Sequence, residues 1–297
     1  MCVAVTLIGT ALPLASFAAA CVNPGEWRQP GASAILATHD VVDALAKRRV
    51  VLLGEAHDQA DHHRWQLHMT AALHARTPNL VLAFEMFPRS VQPALDDWVA
   101  GKLTEKQFLE ASRWNEVWGL DPRLYMPLFD FARLQRIPMV AANVARALVR
   151  RTSSEGWAAI PQAQREGVGD PAPATPAYRD MLFESFAMHR QGDGGPKSAQ
   201  AEAKPGAEDL RSPEFLRFVD SMQLWDRAMA EAIAARAAQS GTLVVGIMGS
   251  GHLRNGFGVP HQLRALGIAD PAVLLPWEAD DDCDELTAGV ADYVFGV

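Results

Sequence analysis

The chain is poor in the residues that build thiol sites and nucleic-acid surfaces. It has three cysteines in 297 residues, and no two of them form a Cys-x-x-Cys pair. That spacing excludes a zinc ribbon or a thioredoxin-type redox centre. Lys and Arg number 27 against 35 Asp and Glu, for a formal net charge of −8. Because nucleic-acid binding needs a basic surface that displaces counterions, we expect no nucleic-acid partner.

The first 20 residues lack charge altogether. They form an apolar run that ends in small residues directly before Cys21. This profile predicts a signal peptide over residues 1–20 and an exported chain located in the periplasm or at the outer membrane. The sequence Ala-Ala-Ala-Cys also resembles a lipobox, although Leu is usual where Ala18 stands, so we expect Cys21 to anchor the protein to the membrane. An acylated Cys21 could form no disulfide.

What the chain does contain is a regular set of short apolar runs. Composition is typical of a folded domain, with 49% hydrophobic and 21% charged residues, and we expect one main domain over residues 21–297. The runs cover residues 50–53, 80–84, 138–142, 243–248 and 273–275, with 293–297 as a weaker sixth. Continuous hydrophobicity favours strands covered on both faces. The sequence therefore predicts a three-layer α/β fold, a mostly parallel sheet with helices on both faces.

Helical patterns separate the predicted strands. Asp58 is placed to cap a helix that carries Trp65, Met69 and Leu73, and Ser212 is placed to open another. About 100 residues separate the third strand from the fourth, which is more than one crossover helix needs. We therefore expect a small helical insertion over about residues 145–240, with a flexible loop over 190–211, where Gly, Ala, Lys, Glu and Pro are abundant.

Polar residues follow four of the predicted strands directly. They are Glu55, His57, Glu85, Asn143 and His252. Strand ends of a parallel sheet share one edge, where ligands bind, so these residues are expected to converge. Taken singly, each is more often a cap or a hydrogen-bonded core residue. Together they predict a site in which His57, Glu85 and His252 handle haem or a divalent metal.

Other polar residues are assigned supporting roles. Asp226 interrupts an apolar helical stripe and is interpreted as a buried anchor for the loop of His252, with a ligand role as the alternative. In the helix after His57, His63 is expected to support the site and His62 to be solvated.

Several linked motifs resemble those of the ChaN-like haem-binding lipoproteins. This family belongs to the Tiki superfamily, together with the erythromycin esterases and the TraB proteins. The resemblance covers roughly residues 35–275. It implies a membrane-anchored protein of haem or iron uptake, with a large α/β domain and a small helical one, in which homodimers hold ferric haem through a tyrosine ligand. The motifs are VVLLGEAHDQADHHRWQL, LAFEMFPRSVQPALDDW, IPMVAANVAR, MQLWDRAMA and GIMGSGHLRNGFGVPHQL.

The tyrosine ligand implied by this resemblance has few candidates here. The chain has three tyrosines; Tyr125 has apolar neighbours typical of packing, and Tyr293 lies outside the resemblance. Tyr178, on the insertion, is the candidate ligand, since phenolate oxygen suits ferric iron. His189 follows on the same helical face, about 16 Å away, and could serve a neighbouring haem. The alternative is that Tyr178 is an ordinary half-exposed helix residue.

Two functions therefore stay open, besides a structural protein without a ligand. The first is a haem-binding protein with a site on the insertion. The second is a hydrolase of ester or peptide bonds, in which His57, Glu85 and His252 hold a divalent metal or act directly as acid and base. In that case Glu55 is the candidate general base.

Overall fold

The structure is a computed structural model that describes residues 20–191, 206 and 208–297, without the side chains of 189–191. The predicted signal peptide and most of the predicted flexible loop therefore lie outside the described residues. Eight strands form one sheet in the order β2-β1-β8-β7-β3-β6-β4-β5. They are β1 (Trp27–Arg28), β2 (Ile35–Leu36), β3 (Val50–Glu55), β4 (Leu80–Pro88), β5 (Met139–Asn143), β6 (Leu243–Gly249), β7 (Ala272–Trp277) and β8 (Tyr293–Gly296).

The six strands predicted from apolar runs are all present, and β3 to β8 pair in parallel, which confirms the mostly parallel sheet. The two short strands β1 and β2 were not predicted. They pair antiparallel at the edge, β1 against both β2 and β8. Strands of two residues carry no periodic hydrophobic pattern, so sequence periodicity had nothing to detect.

The described residues contain ten α-helices, which alternate with or follow the strands, and several short 3₁₀ turns. They are α1 (Thr38–Leu45), α2 (Ala60–Arg76), α3 (Gln92–Val99), α4 (Glu105–Ala111), α5 (Trp114–Val117), α6 (Met126–Gln135), α7 (Arg146–Glu155), α8 (Pro176–Gln191), α9 (Pro213–Ala237) and α10 (Gly258–Ala265). Ser212 caps α9 as predicted, since its hydroxyl accepts from Phe215 N. Asp58 does not cap α2, because the helix begins one residue later, with Gln59 at the cap.

Side chains of the sheet alternate between two apolar cores. Val51 and Leu53 of β3 belong to one core with Trp65 of α2, whereas Val50 and Leu52 belong to the other, with the α9 and α10 side chains. This alternation is the period-2 geometry of a strand covered on both faces. The helices thus lie on both faces of the sheet, as predicted. Two smaller apolar clusters are formed by residues of α7, α8 and α9 and of the loops beside them, in the part of the chain that connects β5 to β6.

The N-terminal segment is joined covalently to the C-terminal part of the chain. Cys21 and Cys283 form a disulfide, with Cα atoms 5.5 Å apart. A cysteine sulfur in a disulfide cannot also carry a lipid thioether. The expected lipidation of Cys21 and the observed bond therefore exclude each other. Among the residues that the structure describes, no helix is both long and apolar enough to span a bilayer.

Candidate functional site at the carboxyl edge of the sheet

Three adjacent parallel strands bring the predicted site residues together around Gly249. In the register of the sheet, Glu55 at the end of β3 lies beside Gly249 at the end of β6. The amide of Gly249 donates to Glu85 Oε2 at 2.7 Å. A Cβ atom added at Gly249 would lie 2.9 Å from His57 Cε1, so only glycine permits this approach of the imidazole. His57, Glu85 and His252 thus occupy one edge of the sheet.

His252 lies between two carboxylates. Its Nδ1 is 2.7 Å from Asp226 Oδ1, and its Nε2 is 3.5 Å from Glu85 Oε1. Both ring nitrogens therefore face acceptors, which is the arrangement of a charged imidazolium. Burial alone would lower the pKa of His252, but the charge of Glu85 and the hydrogen bond to Asp226 outweigh it and raise the pKa to about 10. Asp226 is fully buried in the role of anchor that the sequence predicted.

Glu85 itself is held as an anion by its neighbours. Burial raises its pKa, but the charge and hydrogen bond of His252, with the Gly249 amide, bring the pKa below its ordinary value. Asn143 supports the same strand end, because its Nδ2 donates to the backbone oxygen of Glu85 at 2.9 Å. Asn143 therefore aligns β4 with β5 by contacting the backbone of Glu85.

Tyr178 lies behind His252 and completes this buried chain. Its hydroxyl donates to Asp226 Oδ2 at 2.6 Å, and the residue is 2% exposed. Burial and the charge of Asp226 both disfavour the phenolate, so the pKa of Tyr178 is raised well above its ordinary value. The interpretation as a half-exposed helix residue is therefore wrong. His189 belongs to α8, but its side chain is outside the described part.

A second carboxylate–imidazole pair lies at the end of β3. Glu55 Oε1 lies 2.8 Å from His57 Nδ1 and accepts from the Tyr125 hydroxyl at 2.7 Å. Its other oxygen accepts from Gln66 Nε2 at 2.9 Å and lies 3.4 Å from His63 Nδ1. Burial raises the pKa of Glu55, but the hydrogen bonds to His57 and His63 outweigh it and lower the pKa to about 2. Glu55 is thus a fixed anion that orients its neighbours.

His57 is the part of this pair that faces outward. Its side chain is 38% exposed, and its ring contacts Trp118 edge to face, with centroids 4.7 Å apart. Burial lowers its pKa, whereas the hydrogen bond to Glu55 and the charge of Glu85 raise it, and the net shift is upward. An imidazole that is oriented by a carboxylate and partly open to solvent can exchange a proton with a bound molecule.

The two histidines at the start of α2, His62 and His63, are both buried. His63 supports the site as predicted, since its Nε2 donates to the backbone oxygen of His57 at 3.1 Å. The prediction that His62 is solvated is wrong, because it is 5% exposed. Its Nδ1 accepts from Ala56 N and its Nε2 lies 2.8 Å from Glu278. This arrangement fits a neutral ring, and burial lowers its pKa.

Tyr125 is the site residue that the sequence analysis missed. It packs against aromatic side chains, as predicted, but its hydroxyl also reaches Glu55, 70 positions away. A tyrosine on an apolar helix face has no local signal that identifies such a partner. Its burial in itself is a clue, because a buried tyrosine hydroxyl usually finds a hydrogen-bond acceptor.

The metal alternative has little support in this geometry. No group of three His, Cys, Asp or Glu side chains within the described ranges is arranged to hold a metal ion. Glu85 and His252 face each other, and each has a further partner, Gly249 N and Asp226 respectively. The assignment of His57, Glu85 and His252 as metal ligands stays a prediction.

The helical insertion carries a separate apolar surface. Helices α8 and α9 share a small core built on Tyr178, Leu182, Phe215 and Val219. Partly buried side chains of the two helices surround this core, and Met188 at the end of α8 is 61% exposed. We call this the insertion surface; its members are Met181, Phe183, Phe186, Met188, Phe218 and Met222. Large apolar side chains that stay partly or fully exposed on two adjacent helices are candidates for contacts with an apolar ligand.

Comparison with known proteins identifies the family. The model of the family described as haem-binding uptake, Tiki superfamily, ChaN matches residues 41–263. The fold is similar to that in a structure of cofacial haem binding to ChaN of Campylobacter jejuni, with a TM-score of 0.69 and 19% identity over 91% of this chain and 96% of that one. No curated protein sequence matches.

More distant structures share less of the fold. A MARTX toxin effector domain from Vibrio vulnificus has a TM-score of 0.43 and 16% identity over 81% of this chain and 35% of that one. An erythromycin esterase in an open conformation has a TM-score of 0.44 and 10% identity over 85% of this chain and 77% of that one.

Proposed function

The chain belongs to the ChaN family of haem-binding uptake proteins in the Tiki superfamily, and from this premise we propose that it binds haem on the insertion surface of α8 and α9. The observation that carries the location is Met188, a large apolar side chain near the end of α8 that is 61% exposed. A porphyrin is a flat apolar plane, so partly exposed Met and Phe side chains can pack against it.

Tyrosine ligation fits this conformation poorly. Tyr178 and Tyr125 each donate their hydroxyl to a buried carboxylate, and both are at most 2% exposed. A phenol that is buried and bonded in this way is not offered to an iron at the surface. We therefore propose that the packing of the macrocycle, and not the hydroxyl of Tyr178, supplies most of the affinity. Bound haem would supply an iron centre that can take up further ligands.

Export and dimerisation are parts of the same proposal. The disulfide between Cys21 and Cys283 supports export, because disulfides persist in oxidising compartments such as the periplasm. One face of a haem on the insertion surface would stay exposed to water. A second copy of this chain would cover that face and bury more apolar area, so we propose that haem binding and dimer formation are coupled.

Haemin titration followed by the Soret band tests this proposal. We expect saturation at a fixed stoichiometry, Kd raised at least about tenfold by Met188→Glu, and little change in Tyr178→Phe. The matched control is Leu134→Glu, since Leu134 is an exposed apolar residue on α6, 77% exposed. Binding that depends on Leu134 and not on Met188 would contradict the proposed location. Loss of haem binding in Tyr178→Phe would instead support Tyr178 as the ligand of the haem iron.

A second candidate function, acid–base hydrolysis, is favoured by one observation. His57 is partly exposed while Glu55 orients its Nδ1, the arrangement by which a carboxylate fixes the tautomer of a general base. We propose a step in which His57 takes a proton from water, the water oxygen attacks the carbonyl carbon of an ester, and the proton passes to the leaving alcohol. Because the pKa of His57 is raised, the rate should increase towards alkaline pH.

Hydrolysis of chromogenic esters such as p-nitrophenyl butyrate tests this second function. We expect His57→Ala to lower the rate at least about a hundredfold, within the usual contribution of a general base. His39→Ala is the control, because His39 is exposed on α1. The chelator EDTA should leave the rate unchanged. Equal rates in the unchanged protein and in His57→Ala would remove this function, and sensitivity to EDTA would favour the metal-dependent version.

A further inference from the structure

The chain is fixed to the sheet immediately after Cys21. Val22 is fully buried, and the backbone of Gly25 donates to Gly296 in β8 at 2.9 Å. Trp27 follows in β1, is 1% exposed and contacts the ring of Phe295. No spacer therefore separates Cys21 from the packed part of the described chain. Any group attached to the sulfur of Cys21 would lie directly against the protein surface.

That surface is strongly acidic. Cys283 lies in the segment of residues 278–285, which has the sequence EADDDCDE and contains six carboxylates. One of them, Glu285, pairs with the charged side chain of Arg254, and Glu278 contacts the neutral ring of His62. The sulfur of Cys21 itself lies 3.5 Å from the backbone oxygen of Asp281. The segment thus presents an excess of negative charge around Cys21.

These two observations oppose a lipid anchor at Cys21. Membrane leaflets rich in anionic lipids carry a negative surface potential, which repels carboxylates held within a Debye length of about 8 Å. A diacylglyceryl group on Cys21, with no spacer behind it, would hold the acidic segment against such a surface. A thioether would also occupy the sulfur that the structure places on Cys283.

We propose that Cys21 of the exported chain is a structural disulfide partner of Cys283 and not a site of lipid attachment. The two thiols lose two protons and two electrons to a protein disulfide oxidant by thiol–disulfide exchange, and the oxidant leaves as a dithiol. The bond ties the N-terminal segment to the loop between β7 and β8. This inference rests on the proposed export, because exchange of this kind needs an oxidising compartment. It does not depend on haem binding.

Intact mass and thiol alkylation of the full-length gene product, recovered from both soluble and membrane fractions, test the proposal. We expect a soluble chain without acyl mass, two hydrogens lighter than its thiol form, in which Cys21 and Cys283 are alkylated only after reduction. An acyl mass on Cys21, with Cys283 alkylated without reduction, would overturn the proposal. Retention of residues 1–20 with both thiols free would instead show that the proposed export has failed.

A pair of variants separates the two fates of Cys21 further. In Cys283→Ser, Cys21 should become reactive to iodoacetamide without a reductant, and in Cys21→Ser the same should hold for Cys283. If Cys21 were lipidated, Cys283→Ser would leave it blocked and the protein would still partition into detergent. The mass of the unchanged protein decides the question even if both variants fold poorly.

Discussion

Two carboxylate–imidazole pairs at the same sheet edge differ in how they are enclosed. Asp226 and His252 come from α9 and the turn after β6 and are both buried. Glu55 ends β3 and His57 lies two positions later in the following turn, and the His57 side chain is 38% exposed. The same chemistry is therefore structural in the first pair and accessible in the second. The comparison teaches that enclosure, rather than residue type, decides which imidazole can meet a ligand.

Removal of the buried carboxylate should have the largest effect. In Asp226→Ala, His252 keeps its charge next to Glu85 but loses its hydrogen bond through Nδ1. Breaking a buried ion pair from one side costs about 3–5 kcal/mol. We expect urea unfolding to show that loss, and His57→Ala to cost less because the His57 side chain is already 38% exposed to water. Equal losses in the two variants would remove the proposed difference between the pairs.

The second-largest effect should be a pH dependence of the free energy of unfolding, and it comes from the buried pair of Asp226 and His252. His252 has a pKa raised from 6.5 to about 10 in the folded chain, so folding stability from this group is complete below pH 6.5 and is lost as pH rises towards 10. The free energy of unfolding should fall by at most about 1.4 kcal/mol per pH unit, which amounts to about 3 kcal/mol between pH 7 and 9. Urea unfolding at several pH values measures it, with His252→Gln as the control that should flatten the curve.

Deletion of the tyrosine hydroxyls should have a smaller and unequal effect. Tyr178→Phe removes the hydrogen bond to the carboxylate of Asp226. We expect the free energy of unfolding to fall by about 1.5–3 kcal/mol, the usual net contribution of a hydrogen bond to a charged group. Tyr125→Phe should cost less, because Glu55 still faces His57, His63 and Gln66. Thermal unfolding of the two variants compares them directly. A larger loss of stability in Tyr125→Phe would mean that Glu55 depends more on its tyrosine partner than Asp226 does.

Truncation of the exposed imidazole should have the smallest effect on stability. His57→Ala removes a partly exposed ring, and such changes usually stay below about 1 kcal/mol. We expect a melting temperature close to that of the unchanged protein while ligand binding or hydrolysis at this edge changes. A large destabilisation would mean that His57 is as structural as His252.

Much of the fold and part of the site followed from sequence patterns. Apolar runs predicted β3 to β8 because strands covered on both faces must be continuously hydrophobic. The strand ends then predicted that His57, Glu85 and His252 converge, since parallel strands share an edge. The burial of Tyr178 and the bond from Tyr125 to Glu55 could not be predicted, because each depends on how a helix from a distant part of the chain packs.

The sequence by itself determined the strands β3 to β8, their parallel arrangement and the family, because hydrophobic period and motif order are local properties of the chain. Only the tertiary structure decided which histidine is enclosed, which tyrosine hydroxyl is already bonded, and that Cys21 meets Cys283 across 262 positions. Those outcomes depend on the burial and the distance between side chains that packing brings together, and neither quantity is encoded in any short stretch of residues.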